Sequence, residues 1–310
     1  MQLLKPGPLQ PGELIALVGP SGPAPRERLE AGIAYLEGRG YRVRPGRHLF
    51  ARHHYLAGTD QQRAEDLREA FADPQVRAVF CARGGYGTGR LLDRLDYAAI
   101  AADPKIVLGF SDTTGLHLAL QARCGLVCFT GGLVSMDLAG ERDPFTEQWL
   151  WRTLTSNAPL GALPLGEEFK VLRPGRAAGP LRGGCLSLLC SLMGTDYVPE
   201  LKGAILLLED VDEYPYRLDR MLNHLRLAGV LKDIGGLVLG QFKDCFKPEE
   251  MGHSPDLSEM VMELTEGLDL PVVTGVPYGH FTRRLVLPLG VQAVLDTALP
   301  ELRLTETAFA

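Results

Sequence analysis

The segment GFSDTTG, residues 109–115, places a serine between a buried strand and a helix. The apolar run from Ile106 to Leu108 predicts a strand, and a helical pattern begins at Thr113. A serine at such a corner has two common uses in proteins. Its hydroxyl can cap the helix, or it can be a nucleophile presented on a sharp strand-to-helix turn. The pattern alone leaves both uses of Ser111 open.

Three features favour the nucleophile. The strand before Ser111 is apolar throughout, as buried parallel strands are, and ligands bind at the carboxyl ends of such strands. The strand-turn-helix context is that of a nucleophile elbow, although the pattern Gly-x-Ser-x-Gly is not met because Thr113 fills its last position. The backbone N–H of Asp112 stands at the start of the helix, where it is suited to stabilise an oxyanion.

A glycine-rich loop, RGGYGTGRLL, follows the predicted strand from Val76 to Cys81. Its spacing does not fit a dinucleotide fingerprint, because Arg90 stands where the third glycine is needed, and it lacks the Gly-Lys-Ser/Thr ending of a phosphate-binding loop. Bare backbone N–H groups at a strand end can approach a substrate closely and serve as oxyanion donors. An equally good interpretation is that the loop is a turn with no chemical role.

A nucleophilic serine needs a base, and the chain has seven histidines. His117 lies more than a turn beyond Ser111 and is expected to point away, and His224 is expected on a helix surface or between domains. Four histidines lie in polar surroundings and are expected to be solvated: His48, His53, His54 and His253. His280, in YGHFTRR, follows a predicted strand and can face a cleft. It is the candidate base.

The acid that would orient the base is sought in LLLEDVDEYPYRLDRML. Glu209 comes first, at the end of an apolar strand, where a carboxylate is held rigidly and partly desolvated. A structural salt bridge is the other interpretation of Glu209. Its neighbour Asp210 remains an alternative orienting acid.

Composition excludes several classes of function. The chain has 310 residues and a net charge of -6, with no basic run that would indicate nucleic-acid binding. Its apolar runs are far shorter than the roughly 20 residues that a membrane helix needs, and the start of the chain has no signal-peptide pattern. We therefore expect a soluble, cytoplasmic protein. The six cysteines form no CxxC pair and predict buried thiols rather than a metal site, with Cys81 notable for its place beside the glycine-rich loop.

The order of predicted strands and helices indicates an α/β fold. Strands alternate with helices in the first half, which indicates a doubly wound, mainly parallel sheet. A stretch rich in Gly, Pro and Ala then marks a boundary. We predict an N-terminal α/β domain over residues 1–165, a linker over 166–180, and a smaller, strand-rich C-terminal α/β domain over 181–310 that carries the acid and the base.

Four segments, in this order, resemble the LD-carboxypeptidase family: CARGGYGTGRLL, GFSDTTGLHLAL, LLLEDVDEYPYRLDRML and GHFTRRLVLPLG. This family comprises the muramoyltetrapeptide carboxypeptidases, which are serine peptidases, and the microcin C immunity-type hydrolases. The resemblance implies Ser111 as nucleophile, Glu209 as orienting acid and His280 as general base. It implies the N–H groups of Gly85 and Asp112 as the oxyanion hole, and no cofactor or metal.

The implied activity is release of the terminal D-alanine from murein tetrapeptides during cell-wall recycling, through an acyl-enzyme. A murein peptide is then the partner, and the family suggests a homodimer. Arg83 and Arg284 are candidate ligands of the substrate's terminal carboxylate, because a guanidinium binds carboxylate bidentately. Tyr86, on the glycine-rich loop, is a further candidate for substrate binding.

Two alternatives remain. The first is an amidase of the microcin C immunity type that acts on aminoacyl-nucleotides, for which aromatic side chains would stack on the base. Trp149 and Trp151 are the two tryptophans, but Phe145, Trp149 and Thr153 share a helical face, which favours packing instead. The second is a non-catalytic binding protein in which Ser111 is only a helix cap.

Overall fold

The computed structural model describes residues 2–247, 252 and 254–310, and these form two β-sheets with associated helices. The strands are β1 (Leu14–Val18), β2 (Arg42–Pro45), β3 (Val76–Cys81), β4 (Ile106–Gly109), β5 (Cys128–Thr130), β6 (Gly161–Ala162), β7 (Lys170–Arg173), β8 (Arg176–Cys185), β9 (Ile205–Val211), β10 (Gly236–Lys243), β11 (Val272–Thr274), β12 (Leu287–Leu289), β13 (Gln292–Asp296) and β14 (Glu301–Leu304).

The helices are α1 (Arg26–Gly38), α2 (Asp60–Ala72), α3 (Tyr97–Ala102), α4 (Thr114–Cys124), α5 (Val134–Asp137), α6 (Pro144–Thr155), α7 (Leu186–Leu192), α8 (Pro215–Leu227), α9 (Val230–Asp233) and α10 (Leu257–Leu264). Local sequence sets their ends. The capping box expected at the start of α2 is present, since Thr59 and Gln62 exchange side-chain and backbone hydrogen bonds. Helix α4 ends at Gly125, whose φ of 70° is left-handed.

The first sheet has the strand order β12-β5-β4-β3-β1-β2. Strands β2, β1, β3, β4 and β5 pair in parallel, and β12 joins them antiparallel. Strand β4 is buried along its whole length, which explains its continuous apolar sequence. The sheet therefore presents the end of β4, and the serine after it, at its carboxyl edge.

The second sheet has the order β6-β14-β13-β8-β9-β10-β11-β7. Strands β8 to β11 pair in parallel at its centre, and antiparallel strands complete both sides. Strand β9 carries Glu209 near its carboxyl end. The predicted fold class is confirmed: a mainly parallel sheet in the first half and a strand-rich α/β unit in the second.

The two sheets are joined more closely than a linker between two domains would suggest. Residues 166–180, expected to be a linker, contain β7 and the first part of β8, and β6 already pairs with β14 of the second sheet. The glycines that looked like a linker signal serve close backbone packing, because a Cβ on Gly179 would lie 2.0 Å from the carbonyl oxygen of Gly203. One apolar core cluster runs through both sheets.

Strand β12 crosses back to the first sheet, where it pairs with β5. It follows the loop that carries His280, and this loop is therefore connected to both sheets. Tyr278 reinforces the connection, because its hydroxyl is 2.8 Å from Thr130 Oγ1 of β5. Among the described residues, no helix combines the length and the apolar character needed to cross a membrane.

Candidate active site

Ser111 follows β4 in a 3₁₀ turn, Ser111–Thr113, that leads into α4. Its φ is 62°, in the left-handed region that non-glycine residues rarely adopt. Such strain costs about 1–3 kcal/mol and is concentrated at functional sites. The cap positions of the turn and of α4 are Phe110 and Thr113, and neither makes a side-chain cap hydrogen bond. Ser111 therefore caps neither helix.

The glycine-rich loop packs directly on Ser111. A Cβ on Gly84 would lie 2.8 Å from Ser111 Cβ and 3.0 Å from its Oγ, so only glycine fits there. The buried Asp112 ties the loop to the turn, because its Oδ2 accepts a hydrogen bond from Thr88 N at 2.9 Å and its carbonyl accepts one from Thr88 Oγ1 at 2.6 Å. The loop and the turn therefore form one rigid unit that holds the backbones of Gly85 and Asp112 near Ser111.

Glu209 and His280 form a hydrogen-bonded pair, with His280 Nδ1 2.7 Å from Glu209 Oε2. Glu209 is fully buried, and burial raises the pKa of its carboxyl above the usual value while the hydrogen bond to His280 opposes that rise. The ring of His280 packs against Phe110, with 4.6 Å between the ring centroids. When Nδ1 carries the proton that Glu209 accepts, Nε2 is left as a proton acceptor.

Asp210, the alternative acid, has other partners. Its Oδ2 accepts a hydrogen bond from Ser187 N at 2.7 Å, in the first turn of α7, and its Oδ1 accepts one from Val211 N at 2.9 Å. Neighbouring side chains on a strand point to opposite faces, which separates it from Glu209. Of the two acids, the one that contacts His280 is Glu209.

Ser111 and His280 line one cavity of ≈ 190 Å³ at the junction of the two sheets. Its walls are Arg83, Gly84, Gly85, Phe110, Ser111, Leu133, Met136, His280 and Arg284. The structure thus brings together the candidate nucleophile, the candidate base, one of the two candidate oxyanion donors and both candidate arginines. Tyr86 lies outside this cavity and lines an adjoining one.

Arg284 is held firmly at the cavity wall. Its Nε donates to the Gly131 carbonyl at 2.9 Å, its Nη1 to the Phe281 carbonyl at 2.7 Å, and its Nη2 to Asp137 Oδ1 at 2.5 Å. Burial raises the pKa of the Asp137 carboxyl, and the charges of Arg284 and Arg28 oppose that rise. Arg284 is therefore fixed at the cavity wall by three hydrogen bonds, and its charge is paired with that of Asp137.

The other histidines differ in part from expectation. His53, His54 and His224 are exposed, as predicted. The expectation that His48 is solvated is wrong, because its Nδ1 lies 3.0 Å from Oδ1 of Asp66, a contact between residues far apart in sequence. His117 is fully buried, and burial lowers its pKa to about 3. His253 lies outside the described residues.

Five of the six cysteines are buried, and Cys190 is partly exposed. Cys81 is buried, and burial raises the pKa of its thiol to about 12, which leaves it unreactive. Trp149 and Trp151 are buried as well, and Trp151 stacks on Tyr41 with 5.2 Å between the ring centroids. This agrees with the helix-packing interpretation of the two tryptophans.

Sequence reasoning missed several residues of the site. Phe110 stands beside Ser111 in GFSDTTG, but nothing in this motif indicates that its ring packs against His280. Met136 and Asp137 belong to α5, a helix of four residues that is too short to show a periodic pattern. Tyr55 lines the adjoining cavity from a loop between β2 and α2. Only the tertiary fold brings these residues to the site.

Two family models match the chain. The LD-carboxypeptidase N-terminal domain matches residues 15–131, and the LD-carboxypeptidase C-terminal domain matches residues 178–295. A murein tetrapeptide carboxypeptidase of Pseudomonas aeruginosa is 37% identical over 289 residues, which cover 91% of this chain and 92% of that protein.

Solved structures agree with these matches. A muramoyltetrapeptide carboxypeptidase from Oxalobacter formigenes is 34% identical with a TM-score of 0.84, covering 94% of this chain and 99% of its own. The microcin C7 self-immunity protein MccF, in complex with aspartyl sulfamoyl adenosine, is 28% identical with a TM-score of 0.89, covering 99% of this chain and 100% of its own. The chain belongs to the LD-carboxypeptidase family. It is a hydrolase of the serine carboxypeptidase type.

Proposed function

We propose that this enzyme releases the terminal D-alanine from murein tetrapeptides, with Ser111, Glu209 and His280 as its catalytic triad. The observation that carries the proposal is the cavity that Ser111 shares with His280, whose Nδ1 is 2.7 Å from the buried Glu209. The family and the murein carboxypeptidases among its relatives support the choice of substrate.

The first half of the reaction forms an acyl-enzyme. Glu209 accepts the Nδ1 proton of His280, which leaves Nε2 to take the proton from Ser111 Oγ as the oxygen attacks the peptide carbonyl. The backbone N–H groups of Gly85 and Asp112 donate to the oxyanion that forms. When the intermediate collapses, the C–N bond breaks and His280 gives its proton to the amine of D-alanine. Water then attacks the ester in the same way and releases the tripeptide.

The leaving D-alanine must lie on the same side as His280, because that ring protonates its amine. Arg284 lines this side, with its guanidinium 4.8 Å from the ring of Phe110 that packs on His280. Of its five N–H groups, three are bound to other residues in the described part of the chain, which leaves two for a ligand. We assign the terminal carboxylate of the substrate to Arg284.

The cellular setting is part of the proposal. The resemblance to enzymes of murein recycling supports action in the cytoplasm, and the same family resemblance supports a homodimer. Sedimentation of the purified enzyme at micromolar concentration tests the second point.

A second candidate function is hydrolysis of an aminoacyl-nucleotide. The likeness to MccF bound to aspartyl sulfamoyl adenosine favours it, since that TM-score, 0.89, exceeds the 0.84 of the muramoyltetrapeptide carboxypeptidase. Sequence identity favours the murein peptide instead, at 34% against 28%. The burial of Trp149 and Trp151 also removes the two side chains that sequence reasoning offered for base stacking.

The test is a direct comparison of substrates. The purified enzyme is given L-Ala-γ-D-Glu-meso-diaminopimelate-D-Ala or aspartyl sulfamoyl adenosine, and product formation is followed by mass spectrometry. The proposal predicts D-alanine and tripeptide from the first, with a kcat/KM well above that for the second. Cleavage of the nucleotide alone would make the second candidate the function of this enzyme.

A further inference from the structure

A second cavity adjoins the catalytic one. It measures ≈ 550 Å³, and its walls are Gly22, Pro23, Tyr55, Arg83, Gly85 and Tyr86. Arg83 and Gly85 also line the catalytic cavity, so the two cavities meet at the candidate oxyanion donor. A substrate held at Ser111 can therefore extend from one cavity into the other.

The direction of the substrate follows from the position of His280. The leaving group lies beside His280 and Arg284, which line the catalytic cavity only. The acyl part lies on the other side of the scissile carbonyl. It therefore runs past Gly85 into the second cavity, toward Tyr55 and Tyr86.

The second cavity has an exposed aromatic wall. The side chains of Tyr55 and Tyr86 are 64% and 53% exposed, with ring centroids 5.8 Å apart and ring planes at 62°. This edge-to-face arrangement leaves ring faces open to a ligand. An aliphatic chain laid on these faces would be removed from water, which is the favourable contribution that an apolar stem can supply.

Arg83 is the charged residue among those that line the second cavity. Arg63 and Arg90 both pair with Asp60, and the buried Asp112 is bound to the loop backbone. Arg83 is exposed, and its Nη1 donates to the Pro23 carbonyl at 2.6 Å. Among the described residues, no acidic side chain forms a salt bridge with Arg83. Its charge is therefore available to an anionic group of a ligand.

We propose that this second cavity binds the acyl side of the substrate, with an aliphatic stem on Tyr55 and Tyr86 and a carboxylate on Arg83. The inference rests on the proposed function and makes it more specific: the enzyme selects acyl groups that carry a carboxylate. In a murein peptide that carboxylate belongs either to the side chain of meso-diaminopimelate or to the α-carbon of the γ-linked D-glutamate. Tyr55 is the residue that no motif indicated.

The test measures binding of the reaction product, L-Ala-γ-D-Glu-meso-diaminopimelate, by titration calorimetry. This tripeptide has no D-alanine, so its affinity reports on the acyl side and needs no catalysis. We expect Arg83→Gln to raise its Kd by about 10- to 100-fold, since a hydrogen bond to a charged group has that magnitude. Tyr55→Ala is expected to raise the Kd by about 10-fold through lost apolar contact.

Matched controls come from a second exposed tyrosine pair. Tyr214 and Tyr216 also lie 5.8 Å apart, beside Arg217 and Arg220, at the start of α8. They line neither cavity. Tyr216→Ala and Arg220→Gln should bind the tripeptide with the affinity of the wild-type enzyme.

Two altered tripeptides identify the carboxylate. One has lysine in place of diaminopimelate, and the other has D-isoglutamine in place of D-glutamate. The peptide that lacks the bound carboxylate should bind the wild-type enzyme weakly and should lose no further affinity in Arg83→Gln. Any one of three results would overturn the inference. These are equal binding of all three peptides, an unchanged Kd in Arg83→Gln, and no binding of the parent tripeptide. D-Alanine release by the wild-type enzyme is measured separately and decides the proposed function.

Discussion

The site joins two regions that are built on different physical principles. The nucleophile region, Gly84 to Thr88 with Phe110 to Thr113, depends on backbone geometry: a positive φ at Ser111, a glycine pressed against its side chain, and hydrogen bonds that fasten loop to turn. The base region depends on a buried pair of side chains, Glu209 and His280. Substitutions in the first region should act through shape, and those in the second through charge and proton position.

The largest effect is expected in the base region. Glu209→Gln keeps the shape but removes the negative charge, and its amide N–H can donate to Nδ1 of His280 and so favour the wrong tautomer. We therefore expect kcat to fall by about 10⁴-fold. Stability should not fall. Because burial raises the pKa of Glu209 in the folded chain, the unfolded chain releases this proton first as pH rises, and the carboxyl destabilises the fold above its unfolded pKa. Urea unfolding at neutral pH checks this.

Asp210→Asn is the matched control for that variant. Asp210 accepts hydrogen bonds from the start of α7 and does not contact His280. Its replacement should lower the free energy of unfolding by about 1–2 kcal/mol while kcat changes little. If Asp210→Asn abolished turnover and Glu209→Gln did not, the assignment of the orienting acid would be reversed.

The next effect is expected in the nucleophile region. In Gly84→Ala the new Cβ would meet Ser111 Cβ at 2.8 Å, so Ser111 must shift. We expect kcat to fall by about 100-fold, the size of effect that a misplacement near 1 Å produces. Gly89→Ala, in the same loop, has no atom within 4 Å of its Cβ and should stay close to wild-type activity. Equal activity of the two variants would show that backbone shape at Gly84 is unimportant.

The smallest effect concerns His117, a titrating group on α4, the helix that follows the nucleophile region. His117 is fully buried with both ring nitrogens unpartnered among the described residues, and burial lowers its pKa to about 3. The unfolded chain binds this proton near pH 6.5, so the fold loses stability as pH falls from there toward 3, by about 2 kcal/mol between pH 7 and pH 5. His117→Leu should remove most of this loss and leave activity intact. Urea unfolding at the two pH values measures it, and an unchanged loss would contradict the assignment.

Much of the fold followed from the sequence because its parallel strands are apolar throughout and its helices carry their own caps. Ser111, Glu209 and His280 could each be selected for the same reason, since each stands at or after the end of a predicted strand. The sequence did not predict strands β7 and β8, because their glycine-rich segment resembles a linker. The structure shows that these glycines allow close packing against the neighbouring backbone. Their pairing partners are distant in sequence.

Contacts between distant residues account for what the sequence did not reveal at the site. The pairing of Arg284 with Asp137 spans 147 residues, and neither has a local pattern that indicates the other. Tyr55 and Tyr86 are in contact although α2 and β3 lie between them in the sequence. The pair of Asp66 with His48 is of the same kind.

The most direct test of Ser111 as the nucleophile compares release of D-alanine from L-Ala-γ-D-Glu-meso-diaminopimelate-D-Ala by the wild-type enzyme and by Ser111→Ala. We predict release by the wild type and a loss of about 1,000-fold or more in the variant, whose fold should be unchanged because Ser111 caps neither helix. Equal release by the two proteins would contradict this prediction, because the nucleophile would then lie elsewhere.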